Sequence, residues 1–122
     1  MIDPGDQPLE FESRRLQTHR SKAALTFLKQ LHPDFTIHLG DLVQEYPGTP
    51  AFPQALSEAL QQIEDIGLDL NHCAGNHDVG DKPDPSMPTH PVTEEGLSAY
   101  HQRVGNSWYS FDRADHHIVV IN

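Results

Sequence analysis

A chain of 122 residues holds one domain with one core and is too short for two. Eighteen carboxylates against eight Lys and Arg give a formal net charge of −10, which repels nucleic-acid phosphates, and no dense basic stripe reverses this. No apolar run approaches the roughly 20 residues that cross a bilayer, and Met1–Asp6 has neither the basic nor the apolar region of a signal peptide, so a cytoplasmic location is the default expectation. The acidic surface adds a constraint: a phosphate ester can bind only where a local positive charge, such as a metal, reverses the field. Cys73 is the sole cysteine, so no internal disulfide forms, and nine histidines prompt a search for metal chemistry.

The first ten residues, with Pro4, Gly5 and Pro8, read as loop. From Glu10 to Leu31 the spacing is helical and puts Leu16, Ala23, Ala24, Phe27, Leu28 and Leu31 on one face, until Pro33 stops it. Phe35–Leu39 is a short β-branched and apolar run that ends at Gly40-Asp41, a strand entering a loop. Gln44–Pro53, punctuated by Pro47, Gly48, Pro50 and Pro53, reads as loop. Ala55, Leu56, Ala59, Leu60 and Ile63 predict a second amphipathic helix closing near Gly67. Leu68–Ala74 is a second short strand ending in Gly75-Asn76-His77-Asp78. Four prolines between Gly80 and Pro91 make that stretch irregular, and Thr93 caps a helix opening at Glu94. Ser107–Phe111 and Ile118–Ile121 predict two strands with a turn around Arg113-Ala114-Asp115. The alternation of helices and strands predicts an α/β sheet covered by helices.

Ligands of such sheets bind beyond the carboxyl ends of strands, and two motifs sit at such ends. They are Gly40-Asp41-Leu42-Val43 and, 35 residues later, Gly75-Asn76-His77-Asp78. Hard divalent cations prefer oxygen donors: Asp41 offers a carboxylate that can bridge two ions, and Asn76 a neutral carbonyl. Two metals about 3.5–4 Å apart can jointly hold a hydroxide and clamp the oxygens of an in-line phosphoryl displacement. His77, beside the amide, is suited to protonate a leaving oxygen or neutralise phosphoryl charge.

Four further histidines read as structural. His116 and His117 are adjacent on a strand, so they face opposite ways and do not share an ion. His38 reads as a core or sheet-face residue, and His72 with Cys73 lacks the three or four convergent donors that zinc needs. Trp108, Tyr109 and Phe111 read as core packing; Arg14, Arg15 and Arg20 read as a solvated face.

Gly40-Asp41 followed by Gly75-Asn76-His77-Asp78 resembles the second and third motifs of calcineurin-like metallophosphoesterases. The resemblance implies a four-layer α/β/β/α sandwich, here partial and incomplete at both ends, as a single domain over residues 1–122. It implies hydrolysis of a phosphomonoester or diester by a dimetal-activated hydroxide, with two divalent ions (Mn, Fe, Zn or Mg). Asp41 would bridge them, Asn76 would bind the second, and His77 would act on the ester. Val43–Gly48 and the strand ending in Ile118–Asn122 look similar to the branch whose first motif is Asp-Pro-Gln, in which more domain follows. Three departures stand out. Only Met1 and Ile2 precede Asp3-Pro4-Gly5, so the first strand is missing and Asp3 is the candidate replacement ligand. No Gly-His-x-His follows Asp78. Gln44 stands where the family often has an acid orienting the catalytic histidine; its neutral side chain can accept a hydrogen bond without stabilising an imidazolium. Two readings stay open: a phosphoester hydrolase that is a fragment of its domain, dependent on the missing remainder, or a non-catalytic fragment or phosphate-binding module.

Overall fold

The computed structural model describes residues 16–86 and 90–122; Asp3, Arg14, Arg15 and the predicted helical stretch before residue 16 lie outside them. The elements run α1 (Gln17–Gln30), β1 (Thr36–His38), α2 (Phe52–Ile66), β2 (Leu70–His72), α3 (Asn76–Val79), α4 (Glu94–Arg103), β3 (Tyr109–Arg113) and β4 (His116–Val120). The class is mixed α/β. The strands form two separate pairs: β1 and β2 parallel, β3 and β4 antiparallel. None of the described helices is long and apolar enough to cross a membrane.

The parallel pair is what positions everything else. Its register matches Thr36 with Leu70, Ile37 with Asn71 and His38 with His72, and Cys73 N–H continues it by donating to the His38 carbonyl at 2.8 Å. A parallel pair needs a crossover, and α2 supplies it. That helix starts earlier than its apolar pattern suggests. Pro53, read from sequence as loop punctuation, sits in the first turn, where its missing N–H would have had no partner anyway. The helix ends at Gly67 in the left-handed conformation (φ +63°), with Lys29 of α1 donating to the neighbouring Ile66 carbonyl.

Phe52, Ala55, Leu56 and Ala59 of α2 close over Leu42 and Val43, the two residues that follow Gly40-Asp41. Burying those four side chains and the loop's two contributes of the order of 10 kcal/mol of gross burial free energy, so the loop carrying Asp41 is fixed by the core itself. On the other side, α4 is capped by the Thr93 hydroxyl accepting from Gly96 N–H at 3.0 Å, as its sequence predicts. Glu94 and Glu95 in its first turn suit the positive end of the helix dipole. Its Tyr100 is buried, and its Arg103 donates to the Pro53 carbonyl and the Ser57 hydroxyl of α2.

Three expectations are corrected. The predicted apolar face of α1 is not its packing face. Gln17, Ser21 and Leu25 are its half-buried positions, with the Gln62 amide donating to the Ser21 hydroxyl at 3.2 Å, while Leu16, Phe27, Leu28 and Leu31 stay exposed. Among the described elements α1 touches only α2, and an amphipathic stripe turns inward only where a second surface covers it. Trp108, expected in the core, is 69 % exposed. Alternation explains this: Tyr109 and Phe111 of β3 face inward, and Trp108 shares the outward parity of Ser110 and Asp112. The hairpin is also tighter than predicted, since only Ala114 and Asp115 form its turn, with Ala114 at φ +49°. Polar residues therefore join the ladder. Asp112 pairs with His117 across the strands, and its carboxylate lies 2.6 Å from that imidazole Nδ1, which is a structural use of a histidine.

The candidate metal-side edge of the parallel pair

Because β1 and β2 run the same way, their carboxyl ends share one edge, and Gly40-Asp41 lies against Gly75-Asn76. The approach is close enough that no side chain fits between. A Cβ on Gly40 would overlap the Gly75 main chain, and one on Gly75 would overlap the Asp41 carboxylate. Gly40 also takes φ +95°, which only glycine adopts freely.

One carboxylate fastens the two loops together. Asp78, 1 % exposed, accepts from Asp41 N–H (2.7 Å) and Gly75 N–H (2.8 Å) through Oδ2, and from Leu42 N–H (2.9 Å) through Oδ1. Asp41 is held in the left-handed region at φ +57°, a conformation aspartate tolerates better than most residues. Its own Oδ1 accepts the main-chain N–H of His77 at 3.1 Å. Sequence reading singled out Asp41, Asn76 and His77 and gave no role to Asp78. The signal was present, since an acid three residues after a helix-opening residue satisfies free N–H groups at the first turn. The second motif is accordingly a short helix, α3, rather than a plain turn.

His77 is oriented from Gln44, but through its backbone. The imidazole Nδ1 lies 2.5 Å from the Gln44 carbonyl oxygen. A carbonyl only accepts, so Nδ1 carries the proton, and Nε2 is the nitrogen through which a proton can be exchanged. The Gln44 side chain, which the sequence showed able to accept a hydrogen bond, is not the partner here; the main-chain carbonyl is. On one face of the His77 ring lies Tyr46, with centroids 4.0 Å apart and planes at 28°. The far face of Tyr46 stacks on His90 at 4.3 Å and 18°. The Asn76 amide donates to the Tyr46 hydroxyl at 3.2 Å and reaches an Asp81 carboxylate oxygen at 3.5 Å. Tyr46, Asp81 and His90 were not legible as site residues, because loop-to-loop convergence has no local periodicity.

Behind the edge, His38 and His72 face each other across the register with ring centroids 6.1 Å apart. Burial is the main cause that pushes both imidazoles below the usual 6.5; each also lies near the opposing Asp78 carboxylate, and His38 adds like-charge repulsion to His72. In the unfolded chain both bind protons below about 6.5, whereas in the fold they resist protonation. Stability contributed by this pair is thus complete above that pH and declines as pH falls below it toward the lowered folded values. Melting temperatures followed from about pH 7.5 to about pH 5 should fall less steeply for His72→Leu than for the unmodified protein. Parallel curves would show that His72 is not part of the acid sensitivity.

The donors at the edge suit hard divalent cations in kind, being one carboxylate (Asp41) and one amide oxygen (Asn76). They are too few to close a coordination shell, and among the described residues no group of three or more His, Cys, Asp or Glu side chains is placed to hold an ion. The sequence pattern of the calcineurin-like phosphoesterase family matches residues 16–122. No curated protein and no solved structure matches the chain. That match spans both strand-end loops, the crossover helix between them and the hairpin beyond, and this chain belongs to the calcineurin-like phosphoesterase family.

Proposed function

We propose that this chain carries the middle of the metal centre of a metal-dependent phosphoester hydrolase. Asp41 and Asn76 would hold divalent cations, and His77 would serve as proton donor or electrostatic partner to the ester. The observation that carries this reading is the shared edge: the Asp41 carboxylate and the His77 main chain are joined by a hydrogen bond although 36 residues separate them. Two divalent cations of the Mn, Fe, Zn or Mg kind, when bound, would supply the Lewis acidity that polarises the phosphoryl group and activates water. The residues of the chain supply the rest. Asp78 keeps the two loops at contact distance, the Gln44 carbonyl holds the His77 Nδ1–H, and in the imidazolium form Nε2–H would pass its proton to the leaving oxygen. The substrate is a phosphomonoester or diester, and the layered α/β/β/α arrangement of the family is the proposed setting.

A second reading has its own support. The shortage of donors among the described residues, together with the uncovered Phe27 and Leu28 of α1 and Leu31 just after it, fits a part of a domain that hydrolyses nothing alone. Release of nitrophenol from p-nitrophenyl phosphate by the purified chain, with manganese or with excess chelator, separates the two. Manganese-dependent release that Asp41→Asn reduces at least about 10-fold supports hydrolysis at this site. Saturable phosphate binding without release supports a binding module, and neither release nor binding supports an inactive part.

A further inference from the structure

We infer that Tyr46 is the positioning residue of this site, orienting His77 with its ring and Asn76 with its hydroxyl. This rests on the reading of His77 and Asn76 given above and extends it to a residue outside both family motifs.

The backbone of Tyr46 is anchored first. Its carbonyl accepts from Thr49 N–H at 3.1 Å and from the Thr49 hydroxyl at 2.7 Å, just beyond the buried Leu42-Val43 segment. The ring is then clamped from both sides. His77 covers one face, and His90 is delivered to the other by a bridge in which Asp81 N–H donates to the His90 carbonyl at 2.5 Å. Gly80 makes that bridge possible, since it lies at φ +108° and a Cβ there would come within 2.9 Å of the His90 carbonyl oxygen. An imidazole held at Nδ1 by the Gln44 carbonyl can still swing about that bond. The stacked phenol removes that freedom.

The hydroxyl acts on Asn76, one of the two proposed metal ligands. It stands 3.2 Å from Asn76 Nδ2 and 3.5 Å from Asp81 Oδ2, so it can accept from the amide and donate to the carboxylate. Asp81 is also 3.5 Å from the same Nδ2, and a carboxylate only accepts. Both neighbours therefore demand the NH₂ end of Asn76, which turns its carbonyl oxygen, the metal-binding atom, the other way. Simple core packing accounts poorly for the arrangement. Asn76 is exposed, Tyr46 is only half-buried, and its two ring partners are imidazoles rather than apolar side chains.

Ring and hydroxyl can be separated by Tyr46→Phe and Tyr46→Leu in the full chain, read by NMR of histidine rings and side-chain amides. In Tyr46→Phe the His77 ring protons should keep their ring-current displacement and Nδ1–H tautomer. The Asn76 NH₂ resonances should move, and affinity for manganese alone should weaken roughly 10-fold. In Tyr46→Leu the His77 displacement should vanish as well. Unmoved Asn76 resonances in the Phe variant, or unmoved His77 ring shifts in the Leu variant, overturn the assignment. Should the Leu variant fail to fold, the Phe variant decides both halves: absence of any ring-current displacement of the His77 protons overturns the stacking, and unmoved Asn76 resonances overturn the role of the hydroxyl. The NMR readouts need no turnover: the expected shifts in a chain that releases no phosphate support Tyr46's role while overturning the hydrolytic reading.

Discussion

Replacing Asp78 by alanine is expected to lower unfolding free energy by about 4 kcal/mol, more than any other single substitution at this edge. Three main-chain N–H groups, of Asp41, Leu42 and Gly75, donate to its two buried oxygens. Hydrogen bonds to a charged acceptor contribute about 1.5–3 kcal/mol each, but three on one carboxylate are not additive, so their sum overstates the loss. What decides the magnitude is that alanine leaves three donors without their partner, the Leu42 bond being buried and those of Asp41 and Gly75 partly buried. Asp78→Asn keeps one acceptor oxygen and should lose about half as much. Urea unfolding measures both, and the alanine variant should also melt about 15 °C lower for a domain of this size. A loss below about 1 kcal/mol for Asp78→Ala would mean that the loops are held by the core alone. The functional consequence follows from the same bonds: Asp41 and Asn76 sit on opposite sides of this fastening, so manganese affinity should fall with stability.

Much of this edge could be read from the chain because its causes are local. A β-branched run ending in Gly-Asp, and an apolar run ending in Gly-Asn-His-Asp, each specify a strand and the loop after it; the apolar stripe from Ala55 to Ile63 between them specifies the crossover. Parallel pairing then follows from connection length, and it alone brings the two motifs to one edge. What escaped the sequence depends on atoms or neighbours that local pattern does not encode. The partner of His77 is a main-chain carbonyl, and every residue has one, so the identity of Gln44 carries no information about it. The exposed face of α1 and the outward Trp108 depend on which surface is covered, not on hydrophobicity. Tyr46 and His90 are 44 residues apart and meet only because Gly80 lets the chain fold back on itself. Asp3 lies outside the described residues, and its candidacy as a ligand stays a proposal.

In the manganese-loaded protein, His77→Ala should lower turnover of an aryl phosphate by about 10²–10⁴-fold, the range of a lost general acid. The size of the loss should depend on the leaving group, and that dependence identifies the role. A nitrophenolate departs readily without a proton, whereas an unsubstituted phenolate, being more basic, needs one transferred as the bond breaks. If Nε2 of His77 donates that proton, phenyl phosphate should lose distinctly more rate than p-nitrophenyl phosphate in the variant. If the imidazole instead neutralises charge on the phosphoryl oxygens, both substrates should lose equally, because those oxygens are the same in each. The Nδ1 contact to the Gln44 carbonyl favours the first outcome, since it leaves one nitrogen committed to the protein and one for the ester. Manganese affinity should be little changed, as the Asp41 carboxylate is held by the His77 main chain, which alanine retains. An undiminished rate with either ester would remove His77 from the chemistry, whatever its place in the family motif.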